Sequence, residues 1–314
     1  MEQKNQTFIT EIVLLGFSNN PKTNITLFLV FIVIYLVTCF GNLFMITIII
    51  FNNNLHTPMY YFLFNLSFLD LCYSSTVLPK LLVDLFYIQR TVSIIACALQ
   101  LYFSLYLGGT ECLILALMAY DRYVAICRPL YYTVLMSWKT CKLMTVFLWI
   151  GGFFILVLPS LLMPAPLCNP NVIDHFMCEI KAILKLACVN TFKNELTIMC
   201  ISLISLLLPF ILILASYICI ISSISKINSV GRSKMFSTCS SHLMVVVLFF
   251  GTALIMYAGP SSRYSTNQQK FISIVYVIIT PMLNPLIYSL KNREVKQTFK
   301  KHFGKNILSC TVVR

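Results

Sequence analysis

Seven long apolar runs recur along the chain, at about 25–50, 58–81, 97–120, 141–163, 197–224, 236–258 and 271–290. Crossing about 30 Å of hydrocarbon takes roughly 20 helical residues, and lipid offers the backbone no hydrogen-bond partner except itself. Composition agrees: 11% of the 314 residues are charged and 59% are hydrophobic, whereas an ordinary soluble domain carries about 25% charged residues. The expected fold class is an all-α membrane protein, a bundle of seven transmembrane helices over 25–290, with a tail at 1–24 and a terminal amphipathic segment at 291–314.

Seven crossings put the two ends on opposite sides, and Lys/Arg bias decides which is which. With the N-terminus outside, 14 of the 23 basic residues lie on inner segments and 9 on outer ones. Six acids lie outside, two at the inner boundary (Asp121, Glu294) and two within spans (Asp70, Glu111). The net +13 is therefore a cytoplasmic face beside anionic lipid, not a nucleic-acid footprint. Residues 1–24 show no basic n-region, apolar core and cleavage site, so the first span is expected to direct insertion.

Local signals refine this layout. Pro159 and the following "MPAP" shorten the fourth run, while Pro209, Pro281 and Pro285 are expected to kink spans five and seven. Asn5 in "NQT" is a candidate glycosylation site; Asn24 lies close to the membrane and Asn65 falls inside span two. Cys97, Cys168, Cys178 and Cys188 are the four outer cysteines among 13, which implies two bridges in an oxidising compartment and permits three pairings. The other nine read as small buried hydrophobes, with Cys310 a candidate for lipidation.

Several strings carry a resemblance: "LHTPMYYFLFNLSFLD" (55–70), "MAYDRYVAICRPLYY" (118–132), "SY" (216–217), "KMFSTCSSHL" (234–243), "PMLNPLIYSLKN" (281–292) and "GN" (41–42). In this order they resemble rhodopsin-like G-protein-coupled receptors and, within them, vertebrate olfactory receptors. The resemblance implies a multi-pass plasma-membrane receptor, expected in olfactory cilia. It would bind a small volatile ligand and activate a stimulatory G protein to raise cyclic AMP. It also implies Cys97–Cys178 and Cys168–Cys188 bridges. By analogy Asp121 holds Arg122, next to Tyr123, until activation frees the guanidinium for Tyr217 and Tyr288. The alternative for Arg122 is a plain membrane-boundary anchor. Lys234 and His242 are implied in G-protein coupling. Asn284, Pro285 and Tyr288 form the hinge motif, with Asn284 and Tyr288 on one helix face.

An acid at mid-membrane is costly unless paired, hydrated or protonated. Asp70, Asn42 and Asn284 resemble the interior polar cluster of this receptor class, a possible sodium site, and helical rise puts Glu111 near the depth of Asp70. The alternative is two neutral acids hydrogen-bonded within the bundle. No other cofactor or metal is expected.

Helical spacing places Leu101, Ser104, Leu105, Gly108 and Cys112 on one face of span three. By resemblance this face lines an outer cavity with Ile201, Ser205, Phe250, Ala253, Leu254, Tyr257, Ile274 and Val277; the plain alternative is helix packing. Amine receptors carry an aspartate where Ser104 stands, so a neutral, largely apolar ligand is expected. Phe250 replaces the family's tyrosine and loses a hydroxyl. "RPLYY" (128–132) replaces the family's His-Pro-Leu-His-Tyr and so lacks two histidines, and "KMF" (234–236) replaces Lys-Ala-Phe.

No nucleophile–base pair, phosphate-cradling glycine loop or ligand cluster is read, so no enzyme is expected; the four histidines are scattered. A transporter or channel is the rival from another class, but seven spans do not halve into repeats. A rhodopsin-like receptor for a lipid or peptide is the nearer rival. An opsin is not expected, because the only lysines near span seven, Lys270 and Lys291, flank it.

Overall fold

The computed structural model describes residues 10–162, 166–168, 171–225, 229–258, 265–291 and 295, with the backbone alone for 229–238, 257, 258, 290 and 291. Seven helices long and apolar enough to cross a membrane run over Pro21–Phe51, Pro58–Asp84, Ile94–Cys127, Trp138–Leu161, Phe192–Ile224, Ser229–Ala258 and Thr266–Ser289. Most extend past the apolar runs because caps, not hydropathy, set their ends. Asn20 accepts from Lys22 N, Ser93 from Ala96 N and Ser137 from Thr140 N, and Ser265 forms a capping box with Gln268. Asn5, Cys310 and the expected amphipathic segment at 291–314 lie outside the described residues, apart from Lys291 and Val295. Asn65 is buried in span two and takes the Trp149 indole N–H at 3.3 Å. Asn24 is buried in the first turns of span one.

Span three is the central strut, packed against spans two, four, five and six. Side chains such as Leu66, Leu115, Ala119 and Ile278 are fully enclosed, while Phe40 (69% exposed) and Ile211 (58%) face outward. Apolar residues on both sides of a helix suit a bundle whose outer solvent is lipid.

Two spans contain a π-turn shortly before a proline: Phe153–Val157 ahead of Pro159, and Val275–Ile279 ahead of Pro281. Proline lacks the N–H that an α-helix needs and clashes with the carbonyl four residues back, and a wide turn relieves both. In span seven the Thr280 hydroxyl donates to Val275 O at 3.0 Å and bridges the wide turn.

The outer face carries a small sheet that the apolar pattern did not signal. Strand β1 (Glu11–Leu14) lies between β2 (Thr91–Ser93), antiparallel with Ile12 opposite Val92, and β3 (Val172–Ile173), parallel with Leu14 opposite Ile173. Ile12, Leu14, Val92 and Ile173 form a second core with the Cys97–Cys178 bridge. The other bridge is Cys168–Cys188. Arg90 fastens the N-terminal segment by donating to the carbonyls of Asp84 (2.9 Å), Leu15 and Ser18 (2.6 Å). Lys270 does the same from span seven, donating to Gly16 O (2.7 Å) and Asp174 (2.6 Å).

Candidate functional site

At the inner end of span three, Arg122 donates to the fully buried Asp121 carboxylate through Nη2 (2.7 Å) and Nε (3.1 Å). The other Asp121 oxygen accepts from the Tyr132 hydroxyl at 2.9 Å. The guanidinium is thus held by its own helix. Tyr123 is half-buried and packs beside Tyr120.

His242 sits deeper than a solvent-facing residue would: it is fully buried and joins three spans. Its Nε2 meets Leu115 O of span three at 3.0 Å, and its Nδ1 meets the Tyr217 hydroxyl of span five at 2.9 Å. A carbonyl only accepts, so the N–H is on Nε2, and the Tyr217 hydroxyl shares its proton between Nδ1 and the Cys239 carbonyl at 3.3 Å. The Tyr288 hydroxyl is buried with no hydrogen-bond partner among the described residues. Tyr217 therefore engages His242, not Arg122. The Lys234 side chain lies outside the described residues. The Pro285 ring packs against Gly41, where an added Cβ would stand 2.9 Å from Pro285 Cγ.

Deeper in the bundle, the Asn284 amide donates to both Asp70 oxygens (3.1 and 3.0 Å) and, more weakly, to Glu111 at 3.4 Å. The two acids are at one depth, as helical rise implied. Asn42 makes no direct hydrogen bond to them among the described residues: its amide donates to Thr38 O (3.0 Å) and Pro281 O (3.1 Å), ties span one to the span-seven bend, and leaves Asn42 Oδ1 buried without a partner there. Glu111 Oε2 and Asn284 Oδ1 are buried without partners among the described residues.

Nearer the outside, a cavity of about 70 Å³ lies between spans three, four, five, six and seven. Ser104, Leu105, Gly108, Cys112, Ile201, Ser205 and Ala253 line it. Leu101 instead lines a second, outer chamber of about 200 Å³. Four further expected side chains are not on the inner wall. Phe250 is fully buried between Phe210 and Phe249, each with ring centroids 5.4 Å away, so Phe249 takes the lining position. In span seven Tyr276 replaces Val277 and Ile274 on the wall, and in span six Leu254 packs with the core. The Tyr257 side chain lies outside the described residues. Leu156 and Ser160 of span four, with Tyr73 of span two, complete a wall that the sequence reading did not anticipate.

The hydroxyls on this wall differ. Ser205 donates to Ser202 O (3.1 Å) and Ser160 to Leu156 O (3.3 Å), each satisfied within its own helix. Ser104 Oγ is buried with no partner among the described residues. No Asp, Glu, Lys, Arg or His belongs to the described wall.

The outer loop over the cavity carries its own polar pair. His175 stacks on Phe176, with ring centroids 4.6 Å apart, and its Nδ1 accepts from Met177 N at 3.3 Å, so Nε2–H faces Glu179 Oε2 at 3.5 Å. Burial, assisted by the Lys270 charge, pushes His175 down to about 4. Burial pushes the Glu179 carboxyl up to about 7, against the pull of Lys181 and Lys185. The proton of this pair therefore resides on the carboxyl over the mildly acidic range. Among the described residues no three His, Cys, Asp or Glu side chains cluster as metal ligands.

Known proteins place this geometry in a family. Squid rhodopsin has the same fold, with a TM-score of 0.70 over 95% of this chain and 92% of that one, at 17% identity. The chain is 44% identical to Olfactory receptor 10A7 of Homo sapiens over 307 residues, 97% of each chain. It is 48% identical to Olfactory receptor 2B6 of Mus musculus over 311 residues, covering 98% of this chain and 99% of that one. A family model described as olfactory receptor matches residues 31–306. With seven spans, two outer bridges, an Asp121–Arg122 pair at the inner end of span three and a buried cavity nearer the outside, the chain belongs to the olfactory receptor family of G-protein-coupled receptors, multi-pass plasma-membrane signalling proteins and not enzymes.

Proposed function

We propose that the receptor binds small, neutral, weakly polar volatile molecules in the inner cavity and then activates a stimulatory G protein, raising cyclic AMP. The observation that carries this reading is Ser104 Oγ, a buried hydroxyl without a partner among the described residues, on a mostly apolar wall whose described residues include no Asp, Glu, Lys, Arg or His. An unsatisfied buried hydroxyl costs about 1–3 kcal/mol, which a ligand acceptor or donor recovers. A charged ligand would leave its ion unpaired there.

Signal transfer follows from the switch region. The Arg122–Asp121 pair and the His242 bridge hold spans three, five and six together at the inner end. Ligand in the cavity favours a state in which Arg122 leaves Asp121, Tyr217 leaves His242, and the buried Tyr288 hydroxyl gains a partner. The opening admits a G protein. Asp70, Glu111 and Asn284 supply hard oxygen donors, two without partners, which fit a sodium ion; when bound it would neutralise one carboxylate.

The test is a screen of chemically diverse volatiles against cyclic AMP in transfected cells. A response to neutral volatiles, lost in Arg122→Ala at equal surface expression, is expected. Potent responses confined to cationic amines, or signalling that survives Arg122→Ala, would overturn the reading.

A further inference from the structure

The inner cavity holds about 70 Å³, whereas an apolar cavity of about 150 Å³ is what accommodates benzene. Some part of the wall therefore yields when a ligand of that size enters. Leu156 of span four is placed to be that part. Its methyl groups fill the space where a Cβ on Gly109 of span three would stand, so the glycine forms a notch for them. Leu156 lies within the π-turn Phe153–Val157, whose extra arc turns this side chain into the seam between the two spans.

On the other side of that seam is lipid. A groove of about 450 Å³ runs between spans three and four on the outward face, with Leu99, Phe103, Tyr106, Ile150, Phe153 and Phe154 on its walls. Phe103, Ile150 and Phe154 are exposed there. Leu156 and Gly109 line the inner cavity, while Val157, next to Leu156, and Tyr106, one turn from Gly109, line the groove. A single layer of side chains separates the two spaces. Elsewhere the seam is closed more firmly. The Tyr106 hydroxyl donates to Trp149 O at 2.8 Å, and an added Cβ at Gly152 would stand 3.1 Å from Thr110 Oγ1. At Gly109 the closure is one aliphatic side chain held by packing. The described outer face over spans one, two and seven is shut by the β2–β1–β3 sheet and the Arg90 and Lys270 clamps.

We infer that Leu156 is a side gate: it swings out of the Gly109 notch toward the groove, and a small neutral molecule dissolved in the bilayer passes from the groove into the inner cavity. The inference rests on the ligand reading given above and names the source from which that ligand comes. Apolar surface leaves water with a gain of about 25 cal/mol per Å², so such a molecule concentrates in the bilayer before it reaches the protein. The groove then meets more of it than the aqueous face does. The swing also adds to the cavity the volume that Leu156 vacates, which removes the mismatch in size. A charged molecule is refused by the hydrocarbon before it reaches the gate.

The inner cavity carries its own reporter, the free thiol of Cys112. The full-length receptor in lipid nanodiscs is exposed to methylmercury chloride, a small neutral compound that dissolves in lipid. Its mercury bonds the sulfur as chloride and the thiol proton leave, a fast reaction, so access to the thiol sets the rate. Modification of the Cys112 peptide is followed by mass spectrometry. Ile150→Trp fills the exposed side of the groove at a position that does not line the inner cavity. It is expected to slow labelling about tenfold, the effect of roughly 1.4 kcal/mol on a barrier. Gly109→Ala, whose methyl group displaces Leu156 from its notch, is expected to speed labelling by a similar factor. Labelling of the exposed Cys200 and Cys219 should be the same in all three proteins. Equal Cys112 rates in wild type and Ile150→Trp overturn the side gate, whether or not Gly109→Ala folds. Because this readout needs no agonist, a receptor silent toward volatiles would sink the ligand reading without deciding this one.

Discussion

Ser104 and Ser205 both line the inner cavity, but only the Ser104 hydroxyl is unsatisfied among the described residues. Ser205 donates to Ser202 O, whereas Ser104 has no partner among the described residues. A neutral hydrogen bond contributes about 0.5–1.5 kcal/mol net. Ser104→Ala should therefore raise the half-maximal concentration of an oxygenated agonist about two- to tenfold, and Ser205→Ala should change it little; concentration–response curves of cyclic AMP check both. At the same scale, His175 and Glu179 make a pH prediction. The Glu179 carboxyl titrates at about 7 in the fold, above its unfolded value, so its contribution to stability is lost as pH rises toward 7. The His175 imidazole titrates at about 4, below its unfolded value, so its contribution is lost as pH falls through the range between the two. Between roughly pH 4.5 and 6.5 these slopes oppose each other, because folding moves one proton from His175 to Glu179. Thermal stability of the wild type should be nearly flat there. Glu179→Gln should uncover a loss on acidification and His175→Asn a loss on alkalinisation, read as melting midpoints across pH.

At the scale of single helices, what was legible was existence and type; phase and ends were not. Phase held only where a helix is unbroken: Ser104, Leu105, Gly108 and Cys112 of span three line one cavity, because an α-helix keeps its 3.6-residue period. Span seven did not, because the π-turn at Val275–Ile279 inserts extra arc and rotates the residues around it, bringing Tyr276 to the wall in place of Val277. The same device in span four puts Leu156 and Ser160 on the cavity. Helix contacts also set what substitution each position tolerates. A side chain at Gly41 would press on the rigid Pro285 ring, while one at Gly251 would meet nothing within 4 Å. Gly41→Val should cost about 1–3 kcal/mol by overpacking, and Gly251→Val should be close to neutral. Melting of the purified receptor separates the two.

For the whole molecule, the outer bridges differ in reach. Cys97–Cys178 closes a separation of 81 residues and Cys168–Cys188 one of 20. In the chain-entropy account the longer loop contributes about 1 kcal/mol more. It also anchors the sheet and the loop helix. Removing it by paired serine substitutions should lower surface expression and thermal stability more than removing the shorter one, as flow cytometry and melting of the two double variants would show.

By itself, the sequence determined the solvent, the number of crossings and their orientation, because hydropathy and the position of basic residues act locally and need no fold. It also placed Asp121 beside Arg122, and their ion pair is built from adjacent residues on one helix. Tertiary structure alone decided what depends on the meeting of distant segments. His242 bonds Leu115 across 127 residues, and Asn284 joins Asp70 and Glu111. The segment at Glu11–Leu14 becomes a strand only because Thr91–Ser93 and Val172–Ile173 flank it. The inner cavity is of the same kind, since a cavity is the space that packed helices fail to fill and no single segment encodes it.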